Sequence, residues 1–350
     1  MNDPDSNPFL WIPCETCGSD RFIPVCEWNG VSQVVRCDVC GLQFVNPMPD
    51  QEYLNEMYQR DSQPGESGIP YFLNYTQERR DRAHSYNKLY VSRLKRMEKY
   101  CPEKGNLLEI GCAGGFFLKA AEKRGWNPHG IEIVPEFVRF AREELLLPNV
   151  REIPLEDKSY DGHFFDAVVL WDLIEHLRHP LHYLREINRI LRPGGLLVLW
   201  TPNVRNAALL KEKWYGYKPH HHLYFFSLDS LSQMFGLSGY RILYKNTNKA
   251  KKGFFGGPKG VPYRKPSVPP AKFAKLLRGA KRDFKNFINP VNYISPVLDW
   301  AGYGFNLYVI VQKSCEGVPT GGESKADGPD APPSLQDGRG FSIKNHPSHE

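Results

Sequence analysis

The sequence has no long apolar segment, because none of its apolar runs approaches the roughly 20 residues that a membrane-spanning helix requires. Its first residues, MNDPDSNPF, lack the basic and apolar regions of a secretory signal, so the expected location is the cytoplasm. A disulfide framework is not expected for the eight cysteines of such a chain. With 350 residues, the chain is long enough for one large domain with a full core and smaller appendages.

Four of the cysteines form two pairs with the spacing of a metal site. Cys14 and Cys17 make one C-x-x-C knuckle, and Cys37 and Cys40 make another. A glycine follows each knuckle, and the separation of the two knuckles matches a four-thiolate zinc ribbon, in which the metal would be structural. The alternatives are iron, a redox pair or no metal at all. The remaining cysteines have no obvious partners: Cys26, Cys101, Cys112 and Cys315.

Residues 107–132 have the pattern of a nucleotide-binding βαβ unit. A short apolar strand, Leu107–Ile110, leads directly into the glycine-rich turn 111–115 and then into a helical pattern that ends near Gly125. A second strand, His129–Ile133, places Glu132 at its carboxyl end. There the carboxylate can accept hydrogen bonds from a ribose diol.

The glycine spacing of this turn argues against a dinucleotide. A dinucleotide site requires glycine at the first, third and sixth positions of the turn, which here hold Gly111, Ala113 and Phe116. Glu109, just before the turn, suits a ligand with a cationic amino acid portion. The stretch resembles motif I of the class I S-adenosylmethionine (SAM)-dependent methyltransferases, although Ala113 replaces the middle glycine of the usual pattern. The alternative is a βαβ unit that binds nothing.

The resemblance implies which residues would contact SAM. An acidic or polar side chain beside the adenine amino group would come from Glu156 or Asp157, between which spacing alone does not choose, and ordinary solvated charge is the alternative for both. The implied cofactor-binding set is Glu109, Gly111, Cys112, Ala113, Gly115, Glu132, Glu156 and Asp172.

A second cluster follows the predicted strand Phe164–Leu170. The segment 171–177, WDLIEHL, resembles motif IV of small-molecule class I methyltransferases, and RPGG followed by the strand Leu196–Trp200 resembles the same family. A weak strand at 149–151 and an antiparallel hairpin of 240–244 with 306–313 complete the pattern. The predicted fold is therefore α/β, a Rossmann-like seven-stranded class I methyltransferase sheet with helices on both faces, plus a small N-terminal zinc ribbon.

Histidines near this crevice are the candidate general bases. His176 lies in the motif IV segment, and His222 precedes a helix, Leu228–Phe235, for which Ser227 is the predicted N-cap. Glu175 could orient one of the two imidazoles. Each histidine could instead only hydrogen-bond the crevice loops, and the run 220–222 could indicate a metal site. A paired-carboxylate magnesium site after the fourth strand is not evident.

The domain organisation follows from these assignments. Residues 50–104 form a helical linker or lid, with a short helix over 51–58, a loop over 59–70 and one long helix over 75–100 that either covers the ligand or only packs on the sheet. The tail is expected to be disordered. The predicted segments are a ribbon over 11–49, the linker over 50–104, the methyltransferase domain over 105–248 and 304–314, a basic insertion over 249–303, and the tail over 315–350.

The insertion concentrates the positive charge of the chain. From Lys245 to Lys285 there are thirteen lysines and arginines against one acidic residue, Asp283, and residues 271–288 have the pattern of a basic amphipathic helix. Three interpretations compete: a solvated surface, contact with the inner face of an anionic membrane, and a polyanionic substrate.

The whole arrangement resembles bacterial proteins that join a zinc ribbon to a class I methyltransferase domain. The resemblance implies SAM-dependent methyl transfer to a small molecule, such as a sugar, a glycan or a lipid-linked intermediate. An RNA or protein methyltransferase is one alternative, although the basic stretch lacks regular aromatic interleaving and no Asn-Pro-Pro-Tyr-type segment follows the fourth strand. A non-catalytic SAM-binding scaffold is the other.

Overall fold

The N-terminal segment is a small antiparallel sheet in the structure, a computed structural model that describes residues 7–62, 70–154, 160–210, 214, 216–217, 221–248 and 291–314. Its hairpins join β2, β3 and β4, and the two-residue strands β1 and β5 pair with each other beside them. The strands are β1 (Phe9–Leu10), β2 (Phe22–Glu27), β3 (Gln33–Cys37), β4 (Gln43–Asn46) and β5 (Met48–Pro49).

The segment after the ribbon is helical, but its helices differ from the prediction. The first helix, α1 (Gln51–Ser62), continues beyond the predicted end at Tyr58 into the predicted loop. The predicted long helix over 75–100 is two helices, α2 (Tyr71–Asp81) and α3 (Ala83–Met97), which are separated at Arg82 where ψ is 26°. The single long helix was therefore wrong, because α2 turns away to pack its aromatic side chains on a neighbouring helix.

A seven-stranded sheet forms the centre of the chain and confirms the predicted fold class. Its order is β12-β13-β10-β9-β6-β7-β8, and β13 runs antiparallel to both of its neighbours. The inner strands are continuous apolar runs because helices cover both of their faces. The strands are β6 (Asn106–Ile110), β7 (Asn127–Glu132), β8 (Val150–Glu152), β9 (Phe165–Trp171), β10 (Leu191–Pro202), β12 (Tyr240–Asn248) and β13 (Asn306–Lys313).

The helices pack on both faces of this sheet, as predicted. Prolines occupy the first turn of α5 and of α6, where no backbone donor is lost, and Ser227 caps α8 with a capping box to Ser230. Among the described residues no helix is both long and apolar enough to cross a membrane. The helices are α4 (Phe116–Glu122), α5 (Pro135–Glu143), α6 (Pro180–Ile190), α7 (Ala207–Leu210), α8 (Leu228–Leu237) and a further helix, Val291–Trp300, with 3-10 turns at Ile174–His176 and Val204–Asn206.

Two strand boundaries deserve correction. The strand β10 begins at Leu191 and not at Leu196, because the RPGG segment interrupts the register with β9 without ending the strand. The strand β12 continues past Tyr244 to Asn248, where it still pairs with β13. Neither difference moves the residues at the carboxyl ends of the central strands.

The ribbon shares its hydrophobic core with the central sheet. One continuous cluster contains Phe44 of the ribbon, Leu108 and Leu197 of the sheet, and side chains of α6 and α8. The short strand β11 (Tyr224–Phe225) lies far from the ribbon in the sequence. It pairs antiparallel with β4 and is the fourth strand of the ribbon sheet. The other face of the central sheet has a separate core, to which α3, α4 and α5 contribute.

Candidate active site

The glycine-rich turn between β6 and α4 is tied to the end of β7. The amides of Gly111 and Cys112 both donate to the carbonyl of Ile131, at 2.9 and 3.1 Å. Gly115 has a φ of +76°, and a Cβ there would lie 2.7 Å from a methyl group of Leu147, so that both its conformation and its packing require glycine. Ala113 also lies in the left-handed region, with a φ of +44°. Several residues of the turn therefore adopt left-handed backbone conformations, and its first two amides fix it to the end of β7.

Glu132 supports this turn from the end of β7. Its buried carboxylate accepts hydrogen bonds from the amides of Ala113 at 2.8 Å, Ile133 at 2.9 Å and Val134 at 3.1 Å. A carboxylate has about four lone-pair positions, so the backbone uses most of them and room remains for about one ribose hydroxyl. Burial raises the pKa of Glu132, and the three amides oppose that rise.

Glu109 is a buried carboxylate without a hydrogen bond to one of its oxygens among the described residues. The residue is 5% exposed, and no described donor reaches its Oε2. Burial raises its pKa well above the ordinary value, the positive charge of Arg93 opposes the rise, and the carboxylate of Glu132 adds to it. Such a group in a cleft is a candidate binding residue for a cation.

Arg93 is a site residue that the sequence interpretation missed. Its guanidinium lies 4.1 Å from the ring centroid of Trp171 and 4.9 Å from that of Trp200, the tryptophans near the carboxyl ends of β9 and β10. The charge of Asp172 is near enough to affect the pKa of Arg93, although burial is the larger influence and lowers it. The sequence did contain a sign of this role, because position 93 lies on the apolar side of α3, where a charged arginine is unexpected.

Helix α2 packs beside the crevice. The ring of Phe137, in the first turn of α5 after Glu132, contacts Phe72 and Tyr75 at centroid distances of 5.2 and 5.1 Å. Tyr75 is near enough to Glu109 for that carboxylate to contribute, after burial, to the raised pKa of the phenol. The aromatic side chains of α2 thus pack on the start of α5, and Tyr75 lies near Glu109.

The motif IV segment leaves the sheet at the carboxyl end of β9. Asp172 has a φ of +51°, and its amide donates to the carbonyl of Trp200 at 2.8 Å. The following 3-10 turn buries Glu175, which is 1% exposed and accepts a hydrogen bond from the hydroxyl of Thr201 at 2.9 Å. Thr201 lies near the end of β10, and the sequence analysis did not identify its contact with Glu175.

The two candidate bases lie next to each other. The rings of His176 and His222 are 4.8 Å apart between centroids, and one ligand atom from each of these residues and from Glu175 lies within 4.8 Å of the others. The Nδ1 of His176 bonds the carbonyl of His221 at 2.6 Å, and that of His222 bonds the carbonyl of Gly216 at 2.8 Å. A carbonyl only accepts, so each Nδ1 carries a hydrogen and donates it.

The four cysteines of the ribbon come together. Their sulfur atoms lie within 4.8 Å of one another, with Cys14 and Cys40 at 3.4 Å and Cys17 and Cys37 at 3.6 Å. Four thiolates around one zinc ion, each at about 2.3 Å, lie about 3.8 Å apart, so the donor set fits a tetrahedral ion. Burial raises the pKa of Cys14 and, to about 11, that of Cys40, so metal binding has to displace thiol protons.

Some predicted residues lie outside the part of the chain that the structure describes. These are Glu156 and Asp157 of the predicted adenine contact, His220 of the histidine run, the basic segment 249–290 and the tail 315–350.

Comparison with known proteins identifies the larger part of the described chain. The sequence pattern of a methyltransferase domain family matches residues 79–245, which include both the glycine-rich turn and the imidazole pair. Residues 79–245 are a methyltransferase domain. The matched segment begins in α2 and ends in β12, so the match includes neither the N-terminal ribbon nor β13 of the central sheet.

Curated relatives of the methyltransferase domain include O-methyltransferases. The chain is 34% identical over 101 residues to a ubiquinone biosynthesis O-methyltransferase of Cereibacter sphaeroides, across 28% of this chain and 41% of that protein. It is 35% identical over 107 residues to the protein of the same name from Xanthomonas campestris pv. campestris, across 29% and 45%. The chain therefore spans less than half the length of these relatives.

Solved structures are also similar to this chain. A SAM-dependent methyltransferase from Archaeoglobus fulgidus aligns with a TM-score of 0.43 and 18% identity, across 65% of this chain and 94% of that one. A possible histamine N-methyltransferase from Thermotoga maritima aligns with a TM-score of 0.42 and 17% identity, across 74% and 99%.

Proposed function

We propose that this protein transfers the methyl group of SAM to a hydroxyl of a small-molecule acceptor. The observation that carries the proposal is the arrangement at the carboxyl ends of neighbouring strands. A buried carboxylate that suits a cation, Glu109, lies at the end of β6, and His176 follows β9 with the ring of His222 beside it. In open α/β sheets, ligands bind at this edge.

On the cofactor side, the residues of the chain have separate roles. Glu109 would pair with the ammonium group of the methionine portion, and Glu132 would hold the turn while it accepts one ribose hydroxyl. Gly111, Cys112, Ala113 and Gly115 would supply backbone to the ligand, and α2 would exclude water. The sulfonium supplies an activated methyl group, so the protein mainly has to position and desolvate the acceptor.

On the acceptor side, His176 or His222 would act as the general base. The lone pair on Nε2 takes the hydroxyl proton as the oxygen–carbon bond forms and the sulfur–carbon bond breaks, which leaves neutral S-adenosylhomocysteine and an imidazolium. Glu175 would stabilise that cation, and Thr201 fixes the carboxylate from the next strand. Asp172 would border the cofactor near Arg93.

The acceptor that suits this chain best is a lipid-linked or glycan intermediate. The relatives named above act in ubiquinone biosynthesis, which supports oxygen as the acceptor atom. The basic sequence 249–285 supports a pyrophosphate-bearing or membrane-bound substrate, met at the inner face of the membrane. The described end of that insertion packs on the segment after β10, because the amide group of Asn203 donates to the carbonyl of Gly302 at 3.0 Å and to that of Gly304, just after the insertion, at 2.7 Å.

Incubation with methyl-labelled SAM and fractionated extract tests this function. We expect label to enter a lipid or glycan fraction as an alkali-stable methyl ether, and His176→Gln or His222→Gln to lower the rate by about 10²- to 10⁴-fold if that residue is the base. Label in RNA or protein would favour those acceptors instead. SAM binding without turnover on any fraction would contradict the enzyme and favour a scaffold.

A further inference from the structure

His222 is held by the zinc ribbon as well as by its own domain. The indole Nε1 of Trp28, in the ribbon, donates to the carbonyl of His222 at 3.2 Å, and both residues are buried. Trp28 follows β2 directly, and the chain turns back there because its amide bonds the carbonyl of Ser32 at 3.0 Å. The contact joins residues that are 194 positions apart in the sequence.

The next residue, Leu223, bridges the ribbon and the motif IV turn. Its amide donates to the carbonyl of Glu175 at 2.8 Å, and its carbonyl accepts from the amide of Val45 at 2.8 Å. The strand β11 then continues this pairing, with Tyr224 opposite Phe44 and Phe225 opposite Gln43. The backbone beside His222 therefore follows any movement of β4.

The imidazole of His222 is also tied to the ribbon through its hydrogen-bond partner. Its Nδ1–H donates to the carbonyl of Gly216, and the next side chain, Tyr217, donates its hydroxyl to Oε1 of Gln43 at 2.9 Å. The ring of Tyr217 packs on Phe225 at 5.1 Å between centroids. Ribbon contacts thus fix both the backbone of His222 and the carbonyl that determines its tautomer.

We propose that the ribbon is a positioning part of the active site, in which Trp28 and the Tyr217–Gln43 pair hold the imidazole of His222 beside Glu175 and His176. This inference rests on the proposed function for its kinetic part and on geometry alone for its structural part. Trp28 is a positioning residue and not a catalytic one, because it reaches the reaction only through His222. A tetrahedral zinc ion at the four cysteines would stabilise the ribbon from the opposite end.

The test uses the full chain with the ribbon metal bound and substitutions that remove one donor each. Trp28→Phe keeps an aromatic ring but loses the N–H, and Tyr217→Phe loses only the hydroxyl. The matched control is Trp11→Phe, because Trp11 is 63% exposed in the same N-terminal segment. Nitrogen-15 spectra of the imidazoles, with the His222 signals assigned through His222→Gln, report the tautomer without any acceptor.

We expect His222 to be the Nδ1–H tautomer in the parent protein and in Trp11→Phe, and a mixture in the other two variants. With the acceptor, Trp28→Phe should lower kcat by about 10- to 100-fold, because a displacement of about 1 Å can cost 10²-fold, and leave the Kd for SAM within twofold. In the pH profile of kcat, the limb that reports the general base should also shift in Trp28→Phe.

Unchanged His222 spectra in both variants would overturn the proposal, as would a kcat for Trp28→Phe equal to that of Trp11→Phe in an active enzyme. If the spectra change but even the parent protein methylates nothing, the positioning stands and the proposed function fails. If the parent protein is active and the spectra do not change, the function stands and the positioning fails.

Discussion

Glu109 shows how one buried residue links protonation to ligand binding. Its pKa in the folded protein lies above the ordinary 4.5 because it is buried, so ionisation costs folding free energy. The contribution of Glu109 to the free energy of unfolding of the ligand-free protein is therefore greatest below pH 4.5. It is lost as the pH rises through the raised pKa. Arg93 and Glu132 are the charged neighbours, and they act in opposite directions.

This pKa predicts a proton-linked affinity for SAM. The ammonium of the ligand favours the ionised carboxylate, so binding should release a proton below the raised pKa, and the affinity should increase with pH across that range. Calorimetry in buffers of different ionisation enthalpy measures the released proton. We expect Glu109→Gln to bind SAM more weakly and to release no proton on binding. Proton release that persists in this variant would show that another group titrates.

Ala113 is the residue at which the sequence departs from the family pattern. Its φ of +44° lies in the left-handed region, which costs an L-residue about 1 kcal/mol. Ala113→Gly should therefore keep stability and SAM affinity nearly unchanged, since the relief of strain and the greater freedom of the unfolded chain are both about 1 kcal/mol. Ala113→Val should lose about 1–2 kcal/mol and bind SAM more weakly, because a β-branched residue tolerates this region poorly. Equal denaturation midpoints for the two variants would contradict this account.

At the scale of elements, local sequence predicted the strands better than the helices. Strands β6, β9 and β13 are apolar runs flanked by turn residues, so their positions follow from composition alone. The break between α2 and α3 has no local signal, because Arg82 is neither glycine nor proline. It arises from packing, since α2 places Phe72 and Tyr75 against Phe137.

The site shows the same division. Motif spacing identified Glu109, Glu132 and the two histidines as candidate site residues. In the fold, Glu109 and Glu132 lie at the ends of β6 and β7, and His176 follows β9. Arg93, Thr201 and Trp28 act through contacts with residues far along the chain, and no local pattern specifies such pairs. Their partners become visible only when the sheet order and the pairing of β11 with β4 are known.

The packing of α2 on α5 predicts a separable effect. Phe137→Leu removes part of the ring that holds α2, and we expect faster amide exchange in α2 together with weaker SAM binding, at a cost of about 1–2 kcal/mol in global stability. Phe165→Leu is the matched control, because this buried ring lies on β9 among other aromatic rings and away from α2. Equal exchange in α2 for the two variants would show that α2 is not held by Phe137.

At the scale of the whole molecule, the ribbon metal should stabilise more than the ribbon. Cys37→Ser should abolish most bound zinc and also lower the unfolding midpoint of the methyltransferase domain, because one hydrophobic cluster contains both parts. Cys101→Ser is the control, since that thiol lies outside the cysteine cluster. Elemental analysis should give one zinc per parent chain. A second metal that disappears in His222→Gln would mean that the imidazoles bind metal and do not act as bases.

The charge distribution leads to a prediction about the acceptor. Replacing the lysines and arginines of 249–285 by glutamine should lower turnover and the affinity for vesicles containing anionic lipid, since each basic residue near such a surface contributes about 1 kcal/mol. Replacing Lys88 and Lys95 on α3, together with Lys99 just after it, removes positive charge elsewhere and serves as the control. Unchanged turnover and vesicle affinity would leave the insertion as a solvated surface.

The pairing of β4 with β11 also has a consequence for biosynthesis. The ribbon leaves the ribosome early, but the strand that covers its edge begins only at Tyr224, so β4 exposes unpaired backbone groups throughout the translation of the intervening chain. Uncovered strand edges favour association between chains. We therefore expect nascent or truncated chains that stop before Tyr224 to depend on chaperones, even when the zinc ligands are complete.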